Sequence, residues 1–231
     1  MIGTIARVTW KRISRGQAIW VALGIALLPV VVAVFLHQAI TDPRDRMEFT
    51  IDLYAVEMFV LAVVPALFVA SSIGEEIEDR TVTYLWSRPL PRWHVIAGKL
   101  VALAPIAVAL VLAGWLLAIG IAYGRLAEPW TLIAIGFATL AVSCVSAGIG
   151  TLAPKHGMAL TIIYMLLFDL PIGEIPASLQ ILSITHQTRL LAGISPSGVH
   201  EAARLAPALT IAVLAGVWFA VGLWKIRRTE A

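Results

Sequence analysis

Glu75-Glu76-Ile77-Glu78-Asp79-Arg80-Thr81-Val82-Thr83-Tyr84-Leu85-Trp86-Ser87-Arg88-Pro89-Leu90-Pro91-Arg92 packs both charge signs into a chain that is otherwise mostly apolar. One apolar run ends just before it, at Gly74, and another begins just after it, at Leu100. Asp79 or Thr81 can cap a short helix here. Val82, Leu85 and Trp86 then stand at i, i+3 and i+4 on one face. Pro89 and Pro91 end the helix, and Gly98-Lys99 lead into the next apolar run. An apolar stripe in a charged surround suits docking into a partner's groove. It equally suits lying flat on lipid headgroups, and these residues alone leave both open.

The rest of the chain explains why such a block matters. Of its 231 residues 60% are hydrophobic and 13% charged, with mean hydropathy +0.90. Soluble domains are nearer a quarter charged, and several runs reach the roughly 20 residues that cross a hydrocarbon core. The composition predicts an all-α membrane protein, residues 1–231 forming a single transmembrane domain. Its six spans fall at about 18–40, 55–74, 100–123, 130–153, 157–172 and 205–224. The lone Cys144 excludes an intrachain disulfide, and no small-residue cleavage motif follows the first span, so no cleavable signal is expected. The basic residues flank membrane spans, which argues against a nucleic-acid partner and for the lipid bilayer.

Residues 2–16 read as an amphipathic helix in the membrane interface. Ile2, Ile5, Ala6, Thr9, Trp10 and Ile13 lie on one side, opposite Arg7, Lys11, Arg12 and Arg15; a plain basic flank is the alternative. Pro29, Pro65 and Pro105 fall inside the first three spans and predict kinks. The fourth span carries Ser143, Cys144, Ser146, Ala147, Gly148 and Gly150, small residues that let helix backbones approach. Trp10, Trp20, Trp130, Trp218 and Trp224 read as interfacial anchors.

Loop charge sets the orientation. Arg7, Lys11, Arg12, Arg15, Arg80, Arg88, Arg92, Lys99, Lys155, Lys225, Arg227 and Arg228 fall on one side. Only Arg44, Arg46, Arg125, Arg189 and Arg204 fall on the other. The positive-inside rule then puts both termini in the cytoplasm of a multi-pass cell (inner) membrane protein. The segment from Gly173 to Arg204 is too polar to span yet carries Ile175, Leu179, Ile181, Leu182, Ile184, Leu190, Leu191 and Ile194. It is expected as short outer helices before span six.

Chemistry is sparse. Glu75-Glu76-x-x-x-Arg80 matches the acidic motif of the CAAX-type intramembrane proteases. However, none of His37, His94, His156, His186 and His200 is preceded four residues earlier by Phe, and the chain has no Asn. A protease is therefore a remote alternative. No catalytic residue, metal ligand set or P-loop is expected, and the chain is not expected to be an enzyme.

Taken in order, the acidic pair, Thr81, Tyr84-Leu85, Arg88-Pro89-Leu90-Pro91-Arg92 and Gly98-Lys99 resemble the cytoplasmic loop of type-2 ATP-binding-cassette (ABC) exporter permeases. That family's usual pattern has Gly where Arg80 stands here, and often Ser at Pro91. The resemblance extends over the basic N-terminus, the six spans, the irregular segment before the last span and the Trp224–Arg228 tail. It implies that the loop is a coupling helix seated in an ABC ATPase subunit, with Glu76, Asp79, Thr81, Val82, Leu85, Trp86, Arg88, Pro89 and Arg92 at the junction. It implies a second permease copy, as homodimer or heterodimer, and no cofactor in this chain, ATP and Mg being bound by the partner ATPase. The substrate stays open, as does a different class: a membrane module that transmits force to a partner protein and moves no solute. Ionisable residues inside spans are functional candidates. Glu57, Asp169 and, beside them, Tyr164 and Met165 are the candidates for a substrate path. The alternative for both acids is that they sit near span ends and reach the headgroups.

Overall fold

In a computed structural model, described for residues 3, 7, 9–10, 16–37, 45–78, 93–175, 178–194 and 205–228, the regular elements are all helices. Six stretches among the described residues are long and apolar enough to cross a bilayer: Ala18–Phe35, Phe49–Ile77, Trp93–Tyr123, Pro129–Leu152, Pro154–Glu174 and Leu205–Arg228. Helices α1 (Ala18–Ala26) and α2 (Leu28–His37) make the first span, and α3 (Asp45–Pro65) and α4 (Ser71–Glu78) the second. The third and fourth are α5 (Trp93–Tyr123) and α6 (Pro129–Leu152), and the fifth holds α7 (Gly157–Ile163) and α8 (Leu170–Glu174). A short α9 (Ile184–Ala192) precedes the sixth span, α10 (Leu205–Arg228). Of the expected interfacial helix, Gly3, Arg7, Thr9 and Trp10 are helical. Thr9 is buried and Trp10 exposed, and most of residues 2–16 lies outside the described residues.

Proline removes a backbone donor and crowds the carbonyl four residues back. The first span breaks at Leu27, two residues ahead of Pro29, and the second opens into a π turn, Ala66–Ala70, directly after Pro65. A second π turn, Tyr164–Asp169, ends two residues before Pro171. A widened turn accommodates the displaced carbonyl. The third span runs as one helix through Pro105, with no break or widened turn there.

The second and fourth spans form the interior. Small residues make this possible, because helices in lipid associate by close van der Waals packing. A Cβ built on Gly148 would lie 2.7 Å from the Trp218 carbonyl oxygen, and one on Gly150 would lie 3.1 Å from that of Ala70. Trp218 thus packs on the fourth span where an interfacial anchor was expected, while Trp10, Trp20, Trp130 and Trp224 are exposed. Three buried hydroxyls in the fourth and fifth spans bond their own turns. Thr139 donates to the Ile135 carbonyl, Ser143 to Thr139 and Thr161 to Gly157, each at 2.7 Å. The bundle has two ends. The loop end gathers Gly16–Ala18, Ser71–Glu76 and Pro154. The far end ties His37 to the Ala122 carbonyl at 3.2 Å and Thr50 to the Tyr123 hydroxyl at 2.6 Å.

Candidate functional site

At the loop end, the second and third spans are clamped together on either side of the segment 79–92. Lys99 lies in the second turn of α5, where the positive end of the helix dipole disfavours a cation, and it is 1% exposed. Its ammonium stands 3.0 Å from Glu76 Oε2 and 3.1 Å from the Ser72 hydroxyl, and it donates to the Ser72 carbonyl. An ammonium has three N–H groups, and these acceptors match them. The same turns of α4 touch two further elements. Gly74 approaches Pro154 so closely that a Cβ there would collide with the Pro154 carbonyl oxygen. Ser71, Ser72, Glu75 and Glu76 share a cleft of about 270 Å³ with Gly16–Ala18. The stretch Ser71–Glu76 is therefore joined at once to the start of the first span, to the third span and to the connection between the fourth and fifth.

At the far end, Asp169 anchors α9. The carboxylate is 2% exposed and accepts from the Ile184 and Thr185 amides at 2.7 and 2.9 Å. It also accepts from the Thr185 hydroxyl at 2.7 Å and the Ser183 hydroxyl at 3.4 Å. A charge that satisfies the orphan amides of a helix start complements its dipole. Ser183 adds the N-cap, accepting from the His186 amide at 3.0 Å. Gly193 (φ 75°) ends the helix, its amide and that of Ile194 donating to Leu190 and Arg189 in a Schellman arrangement. Ile184, Thr185, Gln187, Thr188 and Leu191 are buried, so α9 folds back onto the bundle.

Glu57, deeper in the second span, contrasts with Asp169. It is 0% exposed and neither carboxylate oxygen has a hydrogen-bond partner among the described residues. The neighbouring Tyr54 hydroxyl and Trp115 indole N–H are buried and unpartnered in the same way. Both acids are buried among the described residues, which argues against the alternative that they reach the headgroups. Asp169 turns toward the amides of α9, and Glu57 faces inward. Tyr164 shares the fifth span with Asp169 and sets its ring edge-on to Trp218 at 5.1 Å, while Glu57 lies near Tyr54, whose ring packs edge-on to Trp115.

A family model described as ABC-2 family transporter protein matches residues 8–175. The chain belongs to this family. The match covers the first five spans, the charged loop, the Lys99 clamp and Asp169. No match was found among curated proteins. Membership makes this chain an ABC permease-type membrane component, consistent with its six apolar helices. Of the ABC-2 coupling residues expected from sequence, Glu76 is described and paired with Lys99. Asp79, Thr81, Val82, Leu85, Trp86, Arg88, Pro89 and Arg92 lie outside the described residues. Sequence reasoning noted Lys99 only as the lysine opening the third span and missed its partner. It also missed Ser72, Ser183, Thr185, Tyr54 and Trp115. A lysine inside an apolar run was the available signal, since such a charge needs a partner.

Proposed function

We propose that this ABC-2 protein is the transmembrane permease subunit of an exporter, driven by ATP that a separate ATPase subunit binds with Mg and hydrolyses. Segment 79–92 is the coupling helix, Leu85 and Trp86 its apolar anchors, and Arg88 and Arg92 its charged rim. Two permease copies pair in the cell membrane with termini and coupling helix in the cytoplasm. ATPase closure pushes the loop, and α9 on the outer side gates release.

One observation carries this reading: the Lys99–Glu76–Ser72 clamp ties together the two helices from which the loop departs. A push on the loop is thereby delivered to both spans as one body and, through Gly74 and Pro154, to the fourth and fifth. The far-end cleft favours solute transport over force transmission alone. The test is Leu85→Ala combined with Trp86→Ala. Removing two large anchors should weaken ATPase binding by about 2 kcal/mol or more, with the six spans intact. Arg88→Ala should act more mildly and depend on salt. Co-purification with the ATPase and its stimulated turnover in lipid are the readouts. Full binding and full stimulation in the double variant would refute the coupling assignment.

A further inference from the structure

We infer that the far-end cleft, with Glu57 behind it, binds a hydrophobic organic cation; this names a substrate class for the exporter proposed above and rests on that reading. The cleft holds about 490 Å³, within the range of drug-sized sites, and its wall includes Thr50, Trp115, Ile119, Tyr123, Thr131 and Ile194. Two aromatic rungs cross the seam between the second and third spans. Phe49 meets Tyr123 edge-to-face at 5.9 Å, and Tyr54 meets Trp115 the same way at 6.0 Å. Aromatic faces attract cations, and one already does so here: the Arg125 guanidinium lies 5.4 Å from the Tyr123 ring centroid.

Trp115 joins the cleft to the charge. It lines the cleft, forms the lower rung and carries one of the unpartnered polar groups. Behind it stand the Tyr54 hydroxyl and, one turn further along α3, Glu57, whose two oxygens have no hydrogen-bond partner among the described residues. An uncompensated carboxyl in a low-dielectric interior is costly and marks a functional position. Its natural complement is a positive charge. A bare metal ion does not suit the site, because hard cations want six or more oxygens and the cluster offers two carboxylate oxygens and a phenol. An organic cation needs only the carboxylate and the rings. The nearby basic groups do not cancel Glu57. Arg189 reaches Tyr54 electrostatically but is paired with Glu174 at 2.7 Å, and Arg125, which lines the cleft along with Glu128, is engaged on Tyr123. Access from the cleft to Glu57 requires the Trp115 indole, which lines the cleft and packs on Tyr54, to turn aside.

The experiment uses the full chain in lipid nanodiscs and two ions of one shape and opposite charge, tetraphenylphosphonium and tetraphenylborate. Equilibrium binding is measured above that of empty nanodiscs. Saturable binding of tetraphenylphosphonium alone is expected. Glu57→Gln should weaken it about tenfold, equivalent to about 1.4 kcal/mol. Trp115→Phe should weaken it roughly threefold, in line with one cation–π contact. Glu57→Asp, which keeps the charge, should retain binding and so separates loss of the site from loss of the fold. Equal binding of both ions, no binding above empty nanodiscs, or unchanged binding in Glu57→Gln would overturn the proposal. The assay contains no ATPase, so its failure leaves the coupling-helix test standing, and the converse also holds.

Discussion

Lys99 and Glu57 are both ionisable, both inside spans and both almost wholly buried, yet their surroundings are opposite. Lys99 has an acceptor for each of its ammonium N–H groups, drawn from two residues of the neighbouring helix. Glu57 has the Tyr54 phenol close by, which in turn packs on Trp115, and the phenol and the indole each lack a hydrogen-bond partner among the described residues as Glu57 does. The difference teaches that burial alone does not identify a ligand site. A buried charge that its own protein satisfies holds helices together, whereas the unpartnered Glu57 is, on the proposal above, open to a ligand.

The largest effect should come from breaking the satisfied member. Removing one partner of a buried pair costs about 3–5 kcal/mol. Glu76 is partly exposed, at 22%, so Lys99→Met should cost nearer about 3 kcal/mol, read as a lower unfolding temperature in detergent. A cycle with Glu76→Gln should return a coupling energy of about 1–3 kcal/mol. Functionally, Lys99→Met should keep the ATPase bound while its stimulation falls, because the loop survives but no longer moves both spans together. Additive single and double variants would show that the pair is incidental.

The opposite sign is expected at Glu57. Replacing an unsatisfied buried polar group by an apolar one of similar size removes a desolvation penalty of about 1–3 kcal/mol. Glu57→Leu should therefore raise the unfolding temperature while abolishing cation binding. Destabilisation of the size expected at Lys99 would mean that Glu57 has a structural partner after all, and the comparison would collapse.

Much of this contrast was beyond the reach of the sequence, for physical reasons. The helix count follows from hydropathy, and the short helices before the last span follow from the apolar residues scattered between Gly173 and Arg204. The charged loop was legible as a unit. The second and third spans nevertheless extend beyond their apolar runs, to Ile77 and back to Trp93, because Lys99 and Glu76 neutralise each other across 22 intervening positions that no local pattern connects. The role of Asp169 as the anchor of α9 likewise depends on a fold-back that brings Ile184 and Thr185 against it. That Glu57 lacks a partner is a property of three-dimensional surroundings. Proline marked perturbation more reliably than its form: Pro65 adjoins a widened turn, Pro29 a break, and Pro105 neither.

The smallest effect sharpens the comparison most. Thr139 is as buried as Glu57, at 0% exposure, and lies in the central fourth span. Its hydroxyl, however, donates to the Ile135 carbonyl of its own helix at 2.7 Å. That carbonyl also belongs to the helix ladder, so removing the hydroxyl strands nothing. Thr139→Val keeps the branched shape and should change stability by about 0.5 kcal/mol or less, near the average for polar contacts within membrane proteins. Cation binding and ATPase stimulation should stay at the parent level. If burial alone set the energetic stakes, Thr139→Val would shift the unfolding temperature as much as Glu57→Leu. If partnering sets them, Thr139→Val falls within error of the parent, while Lys99→Met lies far below it and Glu57→Leu above. Measuring the three variants side by side in one lipid composition decides between these rules.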